Sequence, residues 1–192
     1  MSGHGFHVHG PHDHEIEHAT QHGAAEGHAN RLAMATAVLA TVGALFGYMA
    51  GATQANAGLY KNNAAIKKTE ASNQWNYYQA KSSKQNLAEL ALELAPDGRK
   101  AFYQDEIKRY RNEKGEIQFA ARKLEDEATD WDRRSDREMH THHRWAQGMT
   151  ALQVAIAMAA IALLTRRRLF EYLVAGFSAA GVAAGALAVL HV

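Results

Sequence analysis

Residues Leu32–Ala52 read LAMATAVLATVGALFGYMAGA and contain no Asp, Glu, Lys or Arg. Two further stretches share this character: Trp145–Leu164 has no charged residue, and Leu169–Leu190 has only Glu171. An apolar helix of about 20 residues crosses the hydrocarbon core of a bilayer, which is about 30 Å thick. The three stretches therefore predict an all-α membrane protein that has the lipid bilayer as a partner. The predicted transmembrane helices are residues 31–52, 145–164 and 169–190.

Charged residues concentrate between the first two apolar stretches. Residues 53–144 hold 17 of the 21 Lys and Arg and 15 of the 20 Asp and Glu. An ionised side chain at the centre of a span costs about 2.5–3.5 kcal/mol, so a bilayer requires this segregation. The formal net charge of +1, with no separate basic block, argues against nucleic-acid binding. The absence of cysteine excludes disulfides and thiolate chemistry.

The charged segment 53–144 is predicted to form two long helices. Pro96-Asp97-Gly98 is the only strong helix breaker between Gly58 and the second span. A helix-stopping proline followed by a turn pair predicts a turn at 96–98. Two antiparallel arms joined at this turn form a coiled-coil-like helical hairpin between the first and second transmembrane helices.

Each arm has a stripe that is predicted to face the other arm. The second-arm stripe alternates spacings of four and three and is mostly apolar or aromatic, which is typical of a heptad repeat. The first-arm stripe recurs in sevens, and a polar residue within it lowers stability but fixes the register. The second-arm stripe comprises Tyr103, Ile107, Tyr110, Lys114, Ile117, Ala121, Leu124, Ala128, Trp131, Ser135, Glu138, His142 and Trp145. The first-arm stripe comprises Leu59, Ile66, Asn73, Ala80, Leu87 and Leu94.

Glycines recur at every fourth position within two of the spans. Gly43, Gly47 and Gly51 form two overlapping GxxxG patterns, and Gly181 with Gly185 forms another. Small residues at this spacing let helix backbones approach closely and so favour association within a bilayer. We therefore predict helix packing at these glycines and a homo-oligomer. The alternative is that Gly and Ala are simply frequent in such helices.

The short connection 165–168 decides the predicted orientation. It contains Arg166, Arg167 and Arg168, and short loops rich in Lys and Arg stay in the cytoplasm. The N-terminus is then also cytoplasmic, and the hairpin lies on the other side of the membrane. The basic residues that flank the hairpin argue for the opposite orientation. Glu171 lies three residues after Arg168 and is expected to pair with the arginines.

An aromatic and basic cluster lies midway along the first arm. It contains Trp75, Tyr77, Tyr78, Lys81 and Lys84. One interpretation is a surface that binds a protein partner or a second copy. The other is packing across the hairpin against residues such as Tyr110 or Ile117.

The N-terminal segment, residues 1–30, is predicted to be a flexible tail rich in histidine, although helix could begin near Asp13. Neutral imidazole binds Zn²⁺, Ni²⁺ and Cu²⁺ well, so the tail is the candidate metal site. Three histidines spaced by four along one helix lie too far apart to close a tetrahedral site. A solvated tail that binds metal only incidentally and a pH-responsive tail are the alternatives. The candidate ligands are His7, His9, His12, His14, His18 and His22.

Two motifs resemble those of a known family. Residues 73–85 read NQWNYYQAKSSKQ, and the stretch from Ala151 reads ALQVAIAMAAIALLTRRRLFEYLVAGFSAAG. Both are similar to segments of an uncharacterised bacterial membrane-protein family, domain of unknown function 4337. The resemblance extends over most of the chain from about Asn30 onward. It implies a bacterial membrane protein and no activity. Together with the basic connection 165–168, it leads us to expect a multi-pass protein of the bacterial inner membrane with a periplasmic hairpin.

These patterns favour a non-enzymatic function. The sequence contains no Walker loop, GxSxG, HExxH or dinucleotide fingerprint, so no catalytic residue is predicted. We expect an integral membrane scaffold or adaptor that self-associates and presents its hairpin to a protein partner. One alternative is binding or buffering of divalent transition metals by the tail, and another is a component of an oligomeric transporter or channel.

Overall fold

The computed structural model describes the backbone of residues 13–190 and the side chains of residues 27–190. Within that range the chain is all-helical and contains no strand, which confirms the all-α part of the prediction. Each helix contains a segment that is long and apolar enough to cross a membrane, judged by length and composition. The helices are α1 (Asp13–Leu94), α2 (Asp97–Thr165) and α3 (Arg168–Val189).

The chain divides into two compact units. Among the described residues, the apolar unit comprises residues 13–50 and 143–190, and the arm unit comprises residues 51–142. Both α1 and α2 contribute a segment to each unit, whereas α3 belongs to the apolar unit alone.

The connection between α1 and α2 is shorter than the predicted turn. Helix α1 ends at Leu94, and α2 begins at Asp97, so Asp97 and Gly98 are helical. The Arg99 N–H donates to the Pro96 carbonyl at 2.9 Å. Pro96 stops the first helix. The negative charge of Asp97, in the first turn of the second helix, interacts favourably with the positive end of that helix dipole. The break therefore falls at 95–96 rather than at 96–98.

Helix α2 ends in a left-handed residue that is not glycine. Arg166 has φ 52°, and its N–H donates to the Ala162 carbonyl at 2.9 Å. This is the αL helix stop, in which glycine is the usual residue. An L-residue in this conformation costs about 1–2 kcal/mol. Arg167 is extended and leads directly into α3.

The second-arm stripe faces inward, as predicted. Every one of its positions within the arm unit is buried or half-buried. Ile117, Ala121, Ala128 and Ser135 are the most buried among them. The alternation of four and three keeps these side chains on one face of α2.

The prediction for the first-arm stripe is wrong. Leu59, Ile66, Leu87 and Leu94 are 56%, 47%, 66% and 79% exposed, and Asn73 and Ala80 are exposed as well. The inward positions are two residues earlier, where the nearly inaccessible Ala57, Ala64 and Ala71 lie. Alanine has almost no side chain, so the two helices approach closely along this face.

Two contacts fix the antiparallel register of the arms. The Ser135 hydroxyl donates to the Ala57 carbonyl at 2.8 Å, and Lys114 Nζ lies 5.3 Å from the centroid of the Tyr78 ring. Equal steps of seven residues on both helices separate these contacts. They place the intervening alanines of α1 level with Ala128 and Ala121 of α2.

Candidate functional site

The apolar unit has an aromatic pair at its core. The rings of Phe46 in α1 and Trp145 in α2 meet edge to face, with centroids 5.0 Å apart. Ala50 and Ala188 are buried beside them. An edge-to-face pair is favourable beyond its buried area, because the positive ring edge meets the negative ring face.

Glycine permits the closest approach between α2 and α3. A Cβ added to Gly181 would lie 2.8 Å from Leu152 Cδ2 and 3.0 Å from the Gly148 carbonyl oxygen. A Cβ added to Gly148 would lie 3.0 Å from the Gly181 carbonyl oxygen. Neither helix has room for a methyl group at this point.

The other predicted packing glycines differ in their surroundings. A Cβ on Gly185 would collide with the Phe46 ring, and one on Gly47 would lie 3.0 Å from Met149 Sδ. Gly43 is looser, because its added Cβ would be 3.8 Å from Leu152 Cβ. A Cβ on Gly51 would meet nothing within 4 Å. The contacts of four of the five predicted glycines are therefore made within one chain.

Sequence reasoning missed Gly148, which has no glycine four residues away. The available signal was the spacing of three and four that continues the second-arm stripe beyond Trp145. The buried residues of that continuation are Gly148, Leu152, Ala155, Ala159 and Ala162.

In the arm unit, part of the predicted aromatic and basic cluster joins the two arms. Trp75 Nε1 donates to Glu125 Oε1 at 2.8 Å, and its ring lies 5.6 Å from that of Tyr78. Lys114 then covers the Tyr78 ring from the other arm. A cation over an aromatic face is attracted by the ring quadrupole. Trp75 and Tyr78 are thus contact residues between the arms.

Lys81 lies at the centre of this cluster. Its Nζ is 2.6 Å from Glu113 Oε2 and lies 5.2 Å from the Tyr77 ring centroid and 5.6 Å from the Tyr110 ring centroid. The Lys81 side chain is only 15% exposed. Tyr77 and Lys84, by contrast, are exposed. Of the five residues predicted as a partner surface, only these two are mainly exposed.

Ion pairs shift the pKa values of several groups across the arms. The hydrogen bond between Lys81 and Glu113 raises the pKa of the lysine above 10.5 and lowers that of the glutamate below 4.5. The Asp132 carboxylate forms ion pairs with Lys68 Nζ at 2.8 Å and with Lys61 Nζ at 2.9 Å. These hydrogen bonds lower the pKa of Asp132 below 3.8, with that from Lys68 as the larger cause. Both carboxylates are therefore stabilised in their charged form.

A groove lies in the apolar unit beside the α2–α3 connection. It has a volume of about 610 Å³, and its lining includes His28, Arg166, Arg168 and Glu171. His28 Nε2 lies 3.4 Å from Glu171 Oε1. The prediction that Glu171 pairs with the arginines is wrong, since its partner is on α1. The guanidinium groups of this connection are left exposed.

The predicted metal ligands lie largely outside the described residues. His7, His9 and His12 precede the described range, and only the backbone is described at His14, His18 and His22. Among residues 27–190, no group of three or more His, Asp or Glu side chains is placed to hold a metal ion. Metal binding by the tail therefore stays a prediction.

Comparison with known proteins identifies the family. A family model described as a domain of unknown function, DUF4337, matches residues 28–191. The chain belongs to this family. No curated protein and no solved structure matches the chain.

Membership in DUF4337 agrees with the resemblance seen in the two sequence motifs, and it carries no reaction or ligand with it. The chemistry of this DUF4337 chain must be argued from its own side chains. In the described part, these form a glycine-lined helix contact in one unit and a network of ion pairs in the other.

Proposed function

We propose that this DUF4337 chain is a non-enzymatic integral membrane scaffold that self-associates and offers its arm unit to a protein partner. The supporting observation is the exposure of its apolar helices. The most apolar segments of α1, α2 and α3 are only 6%, 28% and 22% buried within the chain. Removing apolar surface from water is worth about 25 cal/mol per Å², so these helices require another apolar environment.

A bilayer is the environment that suits these helices best. Large apolar side chains such as Met34, Val38, Leu164 and Leu169 are exposed. A helix satisfies its backbone N–H and carbonyl groups internally, which is the condition for lying in hydrocarbon. We place the chain in the bacterial inner membrane, with its N-terminus and Arg166–Arg168 in the cytoplasm and the arm unit in the periplasm.

The contacts of the arm unit favour a scaffold over an enzyme. Its acidic groups with shifted pKa values, Glu113 and Asp132, are held by lysines of the other arm. Charged groups that are already paired across two helices hold the helices together, so these two carboxylates are engaged by lysines rather than directed at a substrate.

Cysteine labelling tests the membrane topology, since the natural chain has no cysteine. Gly98→Cys and Thr165→Cys place one thiol at each connection. In intact cells, an impermeant maleimide should label only the first variant, and it should label the second after permeabilisation. The reverse pattern would refute the orientation. Recovery of the chain in the soluble fraction would refute membrane insertion.

Crosslinking mass spectrometry in native membranes tests the scaffold function. It should recover peptides linked between copies of the chain and peptides linked to another protein. Deleting residues 1–28 should leave both kinds of crosslink intact, because the tail is not part of the proposed contacts. If the deletion abolishes both kinds of crosslink, the tail is the functional element and the scaffold proposal fails.

A further inference from the structure

The first-arm residues that were wrongly expected to face inward belong to a longer outward-facing stripe. This outer stripe has eleven positions on α1, spaced alternately by three and four residues, and all eleven are exposed. None of them is charged. The outer stripe comprises Leu59, Asn62, Ile66, Thr69, Asn73, Asn76, Ala80, Ser83, Leu87, Leu90 and Leu94.

The outward face of α2 is different in character. Phe119 is 73% exposed, but its neighbours on this face are mostly ionised. A helix face that contacts only water is normally charged, as this one is. The continuous uncharged stripe of the arm unit therefore lies on α1. The exposed charged residues of α2 include Lys108, Glu116, Arg122, Lys123, Asp126 and Asp130.

The spacing of the outer stripe is that of the a and d positions of a coiled coil. Five of its members are Leu or Ile, and they lie toward its two ends. Asn73 lies near the middle, at an a position, and Asn62 and Asn76 lie at d positions. A single asparagine at such a position fixes the register and the number of strands, because it must meet another polar group in the seam.

We propose that the outer stripe is the interface with a second copy of this chain, aligned parallel and in register. This inference rests on the proposed self-association and names the surface that performs it. In this alignment each layer pairs a residue with its own counterpart, so Asn73 meets Asn73 and Leu87 meets Leu87. No buried polar group then faces an apolar one.

An antiparallel pairing about the middle of the stripe matches poorly. With Asn76 at the centre, it sets Asn62 opposite Leu90 and Asn73 opposite Ala80, which leaves polar groups buried without partners. The parallel register also suits the flanking charges. Glu70 meets Ala65 of the second copy and Lys84 meets Gln79, so no like charges face each other across the seam.

Disulfide trapping tests the register directly. A disulfide requires Cα atoms about 4.4–6.8 Å apart, which a parallel coiled coil provides at its a layers. In native membranes under mild oxidation, Ala80→Cys should form a disulfide-linked dimer. Thr129→Cys, on the charged outward face of α2, should remain monomeric. Equal dimer formation by the two variants would overturn the proposal, as would preferential crosslinking between the two different positions of the Asn62→Cys/Leu90→Cys double variant.

A matched pair of charge insertions tests the interface in the intact chain. Leu87 and Phe119 are exposed to similar degrees, 66% and 73%, so glutamate at either position should leave the fold unchanged. In lipid nanodiscs, Leu87→Glu should weaken the dimer about tenfold or more, because a carboxylate enters an apolar layer twice. Phe119→Glu should leave the dimer unchanged.

The two experiments separate the interface from the function on which it rests. A wild-type chain that is monomeric in native membranes refutes self-association and the outer-stripe interface together. A dimer that persists in Leu87→Glu, with no Ala80→Cys disulfide, refutes the outer stripe alone. Self-association would then have to use another surface.

Discussion

The contact between Gly148 and Gly181 predicts a measurable difference between two glycines of the same helix. Alanine at position 181 would bring its Cβ to 2.8 Å from Leu152 Cδ2 and 3.0 Å from a backbone oxygen, whereas alanine at Gly176 would meet nothing within 4 Å. Gly181→Ala should therefore destabilise the apolar unit relative to Gly176→Ala.

The size of the difference follows from two opposing effects. Alanine gains up to about 1 kcal/mol over glycine in a helix interior, and both variants share this gain. Overpacking costs about 1–3 kcal/mol, and only Gly181→Ala incurs this cost. Because the nearest backbone atom cannot rotate away, the helices must separate. We expect Gly181→Ala to be about 1–3 kcal/mol less stable than Gly176→Ala.

Tryptophan fluorescence provides the assay. Trp75 and Trp131 lie in the arm unit, so replacing both with phenylalanine leaves Trp145 as the reporter of the apolar unit. Each glycine variant is made in this background, purified in detergent micelles and unfolded by increasing the denaturing detergent. Equal midpoints for the two variants would refute close packing of α2 on α3, and so would a higher midpoint for Gly181→Ala.

Further predictions concern the arm unit. Ala121→Leu should cost about 1–3 kcal/mol, because the inward alanines set the distance between the arms; an unchanged denaturation midpoint would contradict this. Gln85 has a buried amide oxygen without a hydrogen-bond partner, and its amide nitrogen donates to Glu89 Oε1 at 2.8 Å. If burial of the unpaired oxygen costs more than that hydrogen bond contributes, Gln85→Leu should raise the free energy of unfolding by up to about 1 kcal/mol, and a lower denaturation midpoint would refute the reason given. The lowered pKa values of Glu113 and Asp132 mean that their contribution is complete above pH 4.5 and 3.8 and is lost as the pH falls further. The raised pKa of Lys81 means that its contribution is complete below pH 10.5 and is lost above it. Melting temperatures of wild type and Glu113→Gln across pH should show a smaller loss on acidification in the variant.

The sequence predicted the helices and the inward face of α2 because both have strong signals. Ile117, Leu124 and Trp131 are large and recur at a coiled-coil spacing. The inward face of α1 was assigned wrongly because leucines were given more weight than alanines. Ala57, Ala64 and Ala71 recur in sevens just as regularly. However, alanine is a weaker indicator of burial in a sequence than leucine is.

The candidate sites were predictable to different degrees. The glycine pattern pointed to Gly181 and Gly185, but not to Gly148, whose partner lies on another helix. Nearness in sequence suggested that Glu171 would pair with Arg168. The fold instead brings His28 within 3.4 Å from about 140 positions earlier in the chain. Contacts of this kind depend on helix pairing, which local spacing does not specify.

The two-residue connection at 95–96 has a consequence for the order of folding. The cost of closing a loop rises with the logarithm of its length. Contacts near the connection close short loops, whereas the Trp75–Glu125 and Ser135–Ala57 hydrogen bonds join residues 50 and 78 positions apart. The arms should therefore zip from the connection outward, each closed contact shortening the next loop. During synthesis, the alanine face of α1 is exposed until α2 has been made. Alanine has the smallest side chain of the apolar residues that pack in cores, so this face exposes little apolar surface during that time.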